Sequence, residues 1–380
     1  MVLTETQRAI REAVRNFAQT QVRPNGDKFE REGTYPKALF TQLGEMGLMG
    51  MTAPSHLGGA QSDYVAYALA LSELAAADGA LATIVSIQNS LLVNSLCVHG
   101  SEAQKLRFLP GLISGETIGA FALTEADAGS DAAAIRSRAR KVEGGWRLSG
   151  TKQFITSGHI AGVVLVFAMT DPVLGKKGIS AFLLPTDRTG YIVDKVEKKM
   201  GQGASDTCGL RFDDIFLEDE LMLGQQGQGY RIALSNLEVG RLGIAAQSVG
   251  MAQAALEIAV TYAKQRQSMG KVIIEHQAVG FRLADLATRL EAARQLVLHA
   301  ASRKDGGVSC LVEASMAKLF ASEAAEAICS GAIQTLGGYG YLEEFGLAKI
   351  YRDVRVCQIY EGTSDIQRMV ISRALQTMTY

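Results

Sequence analysis

Glu361 is the residue whose type and setting are best suited to chemistry. It lies in the stretch QIYEGTSDIQR, where it follows Ile359 and Tyr360 and precedes a glycine. An apolar setting destabilises a carboxylate, so burial here would raise the pKa of Glu361 toward the range useful for proton abstraction. Taken alone, the stretch better fits a solvated loop acid before a helix capped by Thr363 or Ser364.

Three other stretches could surround a bound group. In FALTEADAGSD (residues 121–131), small residues would let the backbone approach a phosphate or a ring edge and offer N–H and hydroxyl donors, although a plain turn fits equally well. KQFITSG (residues 152–158) combines a strand, an aromatic residue and two hydroxyls, which suits contact with a flat conjugated ring. QTLGGYGY (residues 334–341) is a glycine-rich break after a helix, and an ordinary C-cap and turn is its default interpretation.

Several common kinds of site have no support in the sequence. It contains no phosphate-loop motif and no G-x-G-x-x-G after a strand, and LGQQGQGY (residues 223–230) is predicted to be a connector. The five histidines lack metal-ligand spacing, so no metal site is predicted. A serine nucleophile elbow of the G-x-S-x-G type is also absent.

Composition indicates a globular protein of two or three packed units. The chain has 380 residues, of which 47% are hydrophobic and 20% charged. A net charge of −1 gives no reason to expect nucleic acid or a membrane surface as a partner. Five cysteines without a C-x-x-C pair favour a reducing compartment. The start of the chain is typical of a helix with a capping box of Thr4 and Gln7, and no run reaches about 18 uninterrupted apolar residues, so a soluble, unprocessed protein is expected.

The order of sequence patterns predicts an α+β, mainly helical fold in three parts. Residues 1–120 show helical spacing and form the predicted N-terminal helical domain. Residues 121–228 contain short β-branched and aromatic runs between turn residues, which indicate a middle antiparallel β domain. Residues 229–380 contain four long helical segments, which favour a C-terminal four-helix bundle.

These stretches together resemble the acyl-CoA dehydrogenase family. FALTEADAGSD, KQFITSG, RQSMGKVIIEHQAVGFRLAD, QTLGGYGY and IYEGTSDIQR occur in the family's order and spacing, and APSHLGG and KMGQGASDTCGLRFDD extend the likeness over essentially the whole chain. Each motif alone is weak, whereas five in register are specific. The family has the same helical, β and helical division, and it binds FAD without a Rossmann fold.

The resemblance implies which residues bind FAD. Within one subunit they are Phe121, Leu123, Thr124, Gly129, Ser130, Phe154, Ile155, Thr156, Thr363 and Asp365. A second subunit is implied to contribute Arg266, Met269, Gln277, Gln334, Leu336, Gly337 and Gly338. The implied assembly is therefore at least a dimer, and the family's usual form is a homotetramer built as a dimer of dimers.

By the same resemblance, Glu361 is the catalytic base. It would remove the α-proton of an acyl-CoA thioester while a hydride leaves the β-carbon for flavin N5 on the opposite side. The implied substrate contacts are Ser130, Glu238, Arg241 and Gly362. Some members carry the base at a helix position that matches Gly240, and glycine cannot serve there.

The resemblance implies a dehydrogenase that makes a trans-2-enoyl-CoA and passes electrons to an electron-transfer flavoprotein. A short or short-branched acyl group and a cytoplasmic location are expected, or the mitochondrial matrix for a processed eukaryotic chain. Alternatives are an acyl-CoA oxidase or a non-redox eliminating relative of the same fold, and, more distantly, a non-catalytic helical assembly protein. The sequence departs from common family residues at Ala126, Phe154, Met269 and Asp365 and in the stretch EFGLAKI.

Overall fold

The N-terminal part is helical, as predicted. The structure is a computed structural model that describes residues 2–376. Its first helix has the predicted capping box, in which the Gln7 N–H donates to Thr4 Oγ1 over 3.1 Å and the Thr4 N–H donates to Gln7 Oε1 over 3.0 Å. The α-helices of this part are α1 (Glu5–Phe17), α2 (Gly26–Glu32), α3 (Lys37–Glu45), α4 (Tyr64–Ala77), α5 (Gly79–Ile87), α6 (Asn94–His99) and α7 (Glu102–Ile113). A π-helical segment, Gln88–Val93, joins α5 to α6.

The middle part is an eight-stranded sheet that is mostly, but not wholly, antiparallel. Its strands are β1 (Gly119–Ala122), β2 (Arg138–Val142), β3 (Gly145–Thr156), β4 (Val163–Met169), β5 (Ile179–Pro185), β6 (Tyr191–Val196), β7 (Thr207–Glu218) and β8 (Met222–Leu223). Along the sheet the order is β6-β7-β3-β2-β4-β5-β8, and β1 pairs with β4. The β1–β4 pairing is parallel, and so is the single pairing of β2 with β4. The antiparallel prediction is confirmed for most of the sheet, and the parallel pairings arise because the β2–β3 hairpin brings the chain back beside β1 without a crossover helix.

The C-terminal part contains the four predicted long helices and one short helix. Their bounds are α8 (Gly229–Gln265), α9 (Gln277–Asp305), α10 (Leu311–Leu336), α11 (Leu347–Val354) and α12 (Ser364–Leu375). A short ribbon of β9 (Gln267–Ser268) and β10 (Lys271–Val272) lies between α8 and α9. β1 begins at Gly119 and α8 at Gly229, while the domain limits at residues 120 and 228 stay predictions.

Helix α8 connects the two helical parts through one shared core. Leu71 and Leu74 of α4 lie in the same buried cluster as Ile244 and Ala245 of α8. The two backbones approach closely, and the Ser72 hydroxyl of α4 donates a hydrogen bond to the carbonyl of Ala246 over 2.9 Å. This contact places the first third of the chain directly against the bundle.

Within residues 2–376, two helical segments are long and apolar enough to cross a membrane by length and composition. They are residues 79–99 and α8. In the most apolar 18-residue stretch of each, 83% and 72% of the residues, respectively, are buried. Since core helices of a globular protein have the same properties, burial accounts for their composition.

We expect the Gly250→Ala substitution to destabilise the protein by about 1–3 kcal/mol, because it overpacks the contact between α8 and α4. A Cβ at Gly250 would lie 2.8 Å from the carbonyl carbon of Ser72 and closer still to its oxygen, and the backbone there cannot give way without moving a helix. The free energy of unfolding from denaturant titration measures the effect. Gly26→Ala is the control, because a Cβ at Gly26 meets no atom within 4 Å; equal stability of the two variants would contradict this packing.

Candidate active site

Glu361 lies in a short loop with an unusual backbone. The loop connects a 3₁₀ turn, Arg355–Gln358, to α12, whose N-terminus is capped by the Thr363 hydroxyl. Glu361 has φ of +54° and Gly362 has φ of +89°, so two successive residues are in the left-handed region. A non-glycine residue there is strained, and such strain is common at functional sites. The predicted helix cap at Thr363 is therefore confirmed. The alternative that Glu361 is a solvated loop acid is wrong, because its carboxylate oxygens are buried.

The carboxylate of Glu361 is buried against helix α8. Glu361 as a whole is half-buried, but both carboxylate oxygens are shielded from solvent and have no hydrogen-bond partner among residues 2–376. A Cβ on Gly240 would lie 2.8 Å from Glu361 Cδ and would collide with Oε2. Glycine at position 240 therefore creates the space that the carboxylate occupies.

Burial raises the pKa of Glu361 to about 7, against the opposing influence of the nearby cations Lys318 and Arg241. Desolvation is the largest cause, because an unpaired carboxylate in an apolar setting is stabilised in its protonated form. A base with a pKa near the working pH is ionised enough to accept a proton and basic enough to hold it.

Tyr360 fixes one side of the Glu361 loop through a buried polar network. Its hydroxyl donates to Gln247 Oε1 over 2.8 Å, and Gln247 Nε2 donates to Thr83 Oγ1 over 2.6 Å. The Thr83 hydroxyl in turn donates to Gln202 Oε1 over 2.7 Å, and the Gln202 N–H donates to the Asp353 carboxylate. The network joins all three parts of the chain at the loop that carries Glu361.

The predicted ring-binding stretches lie at the ends of strands β1 and β3. Strand β1 ends at Ala122, two residues before Thr124, whose carbonyl accepts a hydrogen bond from the Gln153 N–H over 2.9 Å. A register shift in β3 between Lys152 and Ile155 projects Phe154, which has φ of +59° and is 63% exposed. An apolar ring that protrudes from a bulge is a surface suited to a flat ligand.

A buried ion pair fixes this corner of the sheet. Lys152 Nζ lies 2.8 Å from Glu125 Oε1, and both side chains are buried. The backbone N–H groups of Arg136 and Ser137 also donate to the Glu125 carboxylate, over 2.6 and 3.0 Å. The FALTE segment and β3 are thereby held in one geometry.

The residues implied to act in a second subunit lie mainly on the surface. Met269 is 93% exposed and has φ of +52°, and the Arg266 guanidinium lies 5.7 Å from the centre of the Tyr339 ring. Leu336 is buried at the end of α10. The remaining residues of this group are exposed: Gln277, Gln334, Gly337 and Gly338.

The two charged residues predicted to contact substrate lie one turn apart on α8 in different surroundings. Glu238 forms an ion pair with Lys304 over 2.8 Å and is half-buried. Arg241 is only 6% exposed, and its Nε has no hydrogen-bond partner within residues 2–376. Burial lowers the pKa of Arg241, while Glu361 and Glu238 oppose the shift. Arg241 thus belongs to the charged surroundings of the base, whereas Glu238 is already paired.

Two further residues at the base were missed by the sequence reasoning. Lys318 Nζ donates to the Gly362 carbonyl over 2.6 Å, and Gln367 Nε2 donates to the same oxygen over 2.8 Å. A lysine among the alanines of SMAKLFASEAA, at a core-facing position, was the signal that could have identified Lys318. Gln367 was visible only as an ordinary polar residue within α12.

A buried carboxylate with a pKa near neutrality, where all three parts of the chain meet, is typical of an enzyme active site. Models of the acyl-CoA dehydrogenase N-terminal, middle and C-terminal domains match residues 4–116, 120–215 and 227–376. The chain belongs to the acyl-CoA dehydrogenase family, which is a family of oxidoreductases.

Individual relatives match over nearly the whole length. An acyl-CoA dehydrogenase of Bacillus subtilis is 44% identical over 375 residues, covering 99% of each chain. The structure of butyryl-CoA dehydrogenase from Megasphaera elsdenii matches with a TM-score of 0.96 and 40% identity over 99% of both chains. A structure described as the electron transferring flavoprotein of Acidaminococcus fermentans matches with a TM-score of 0.97 and 39% identity, also over 99% of both.

FAD is the cofactor of this family, and the residues present fit it. The exposed Phe154 ring offers an apolar plate, and Thr124 and Ser130 offer hydroxyls on the segment whose Thr124 carbonyl is bound by the N–H of Gln153. An added Cβ would meet no atom within 4 Å at Gly129, Gly337 or Gly338. The backbone is therefore open to close approach at these three predicted FAD contacts.

We expect Gly240→Ala to lower turnover by about 10–100-fold, because the new methyl group displaces the flexible end of Glu361 from its position. Steady-state kinetics with butyryl-CoA, alongside the melting temperature Tm, separate misplacement of the base from unfolding. Gly306→Ala is the matched control, since its Cβ would make only ordinary contacts of 3.4 Å or more. Unchanged turnover in Gly240→Ala would show that the carboxylate does not need this space.

We also expect Glu361→Gln to stabilise the protein at alkaline pH. Because the folded pKa of Glu361 is about 7 and lies above its ordinary value, the folded state binds the extra proton and loses stability as pH rises between those two values. Glutamine avoids this loss, which amounts to about 3–4 kcal/mol above pH 7. Calorimetry of the holoenzyme should give a higher Tm for the variant at pH 8 and nearly equal values at pH 5; a constant difference would argue against a raised pKa.

Proposed function

We propose that this protein is an FAD-dependent dehydrogenase that converts a short or short-branched acyl-CoA to the trans-2-enoyl-CoA, with Glu361 as the base. The observation that carries the proposal is the buried carboxylate of Glu361, which has no hydrogen-bond partner among residues 2–376 and a pKa of about 7. A carboxylate kept free in this way is available to take a proton from carbon.

The chain's own residues prepare Glu361 for this step in three ways. Burial excludes water, which strengthens the electrostatic interactions of the carboxylate and raises its basicity. Gly240 gives the carboxylate its space, and Gly362 lets the adjoining backbone adopt a φ of +89°, which a residue with a side chain rarely takes. The Glu361 N–H, on the same strained loop, is the donor proposed to bind the thioester carbonyl and stabilise the charge that develops on it.

FAD, when bound, supplies the acceptor for the hydride that leaves the β-carbon. The residues proposed to hold it within one subunit are those at the ends of β1 and β3, from Phe121 to Ser130 and from Phe154 to Thr156, together with Thr363 and Asp365. The partner subunit is proposed to contribute its exposed residues around Met269 and Gly337. A homotetramer built as a dimer of dimers would bring these surfaces together.

A short acyl group fits the packing beside the base. Tyr67 is fully buried, its hydroxyl lies 3.4 Å from Ser86 Oγ, and a Cβ on Gly243 would meet both side chains. Space along α8 is therefore filled one turn beyond Gly240. The likeness to a butyryl-CoA dehydrogenase supports the same substrate class.

The proposed electron acceptor is an electron-transfer flavoprotein. Support comes from the full-length likeness to the Acidaminococcus fermentans structure, which is described by that name. The likeness to a bacterial relative supports a cytoplasmic location. Oxidase chemistry on the same fold would differ in its reaction with oxygen: after anaerobic bleaching by butyryl-CoA, slow reoxidation of the flavin in air is expected, and rapid turnover with oxygen would contradict a dehydrogenase.

Glu361→Gln tests the assignment of the base. We expect this variant to bind FAD and butyryl-CoA normally but to lose about 10³-fold in the rate of flavin bleaching, because an amide cannot accept the α-proton. Anaerobic stopped-flow spectroscopy gives the rate, and binding of a non-reducing acyl-CoA analogue gives the affinity. Glu344→Gln, which changes an exposed acid, is the control. Bleaching within tenfold of the wild-type rate would remove Glu361 from this role.

A further inference from the structure

The loop that carries the base is strained and must be held in place. Glu361 and Gly362 both have positive φ, and the loop lies between the 3₁₀ turn Arg355–Gln358 and α12. Two side chains bind its carbonyl oxygens. Lys318 of α10 donates to the Gly362 oxygen over 2.6 Å, and Gln367 of α12 donates to it over 2.8 Å and to the Glu361 oxygen over 3.4 Å.

Lys318 is buried at a cost that its packing does not explain. Its side chain is 0% exposed and lies on the face of α10 that also buries Ala314, Ala317 and Ala321. Within residues 2–376, the Nζ of Lys318 forms no ion pair with a carboxylate at 4 Å or less. A buried cation without a close anion destabilises the fold, so an apolar residue would serve this core better. The position of the ammonium at the base loop suggests a different purpose.

The charge of Lys318 also reaches the carboxylate of Glu361. Helix α8 presents Arg241 and Glu238 to this region, and α10 presents Lys318. The other titratable groups there are Tyr67 of α4 and, beside the base in sequence, Tyr360 and Cys357. The two cations that lower the pKa of Glu361 are Lys318 and Arg241.

We propose that Lys318 is a positioning residue for the base: its ammonium holds the Gly362 carbonyl, which keeps Glu361 aimed at the space beside Gly240, and its charge stabilises the carboxylate before proton transfer. Gln367 shares the first task and, being neutral, has no part in the second. This inference rests on the proposed function. It assigns a role in the reaction to Lys318 of α10, which lies outside the sequence motifs that resemble the family.

The test compares Lys318→Met with Gln367→Met in the FAD-loaded enzyme. For wild type, kcat/KM for butyryl-CoA should fall tenfold per pH unit below about pH 7, as Glu361 becomes protonated. In Lys318→Met, the plateau of kcat/KM above pH 7 should fall by about 10–100-fold, because the Glu361 loop is less well held. The acid limb of the profile, where kcat/KM falls with pH, should move up by about one pH unit, because a cation near the carboxylate is lost. In Gln367→Met, the plateau should fall and the limb should stay.

The controls separate this inference from the proposed function. Lys28→Met, at an exposed lysine, should leave both plateau and limb unchanged. Failure of wild type to bleach with any acyl-CoA would count against the proposed function, whereas a normal wild type with an unmoved limb in Lys318→Met would overturn the role of Lys318 alone. If Lys318→Met does not fold, Lys318→Gln keeps an N–H donor and should show the same shift of the limb. Loss of folding in both variants would also overturn the role, by showing that Lys318 serves the core.

Discussion

The site depends on one costly arrangement, an ionisable carboxylate that is buried and has no hydrogen-bond partner in the described part of the chain, residues 2–376. Desolvation favours the neutral form of Glu361 and raises its pKa to about 7. A hydrogen bond to the carboxylate would lower that pKa and reduce its power to take a proton. The surroundings accordingly give Glu361 space, at Gly240, and distant positive charge rather than donors. Burial of the charged form therefore lowers stability at this point.

Other parts of the fold hold this arrangement in place. The strained backbone at Glu361 is bound by Lys318 from one helix and Gln367 from another. Tyr360 connects the same loop to Gln247 of α8 and, through Thr83, to the N-terminal helices. Since Thr83 also binds Gln202, the helical bundle, the N-terminal helices and the β part meet at the Glu361 loop, so a change far along the chain can alter its geometry.

Local features of the fold could be predicted from the sequence, and long-range contacts could not. The capping box at Thr4 and the four long C-terminal helices follow from short-range spacing, and the structure confirms them. The parallel pairing of β1 with β4 depends on how a hairpin between them folds back, which no local pattern records. At the site, Glu361 was identified by its motif, but Lys318 lies 44 residues from the carbonyl that it binds. The assigned flavin and substrate contacts stay predictions.

Exchange of the substrate α-proton with solvent tests the central claim most directly, because it reports on the base alone. Butyryl-CoA is incubated anaerobically with the enzyme in D₂O, and the recovered thioester is analysed by mass spectrometry. The account predicts deuterium at C2 with wild type and none above background with Glu361→Gln. Undiminished exchange in that variant would contradict the claim that the buried carboxylate of Glu361 removes the proton.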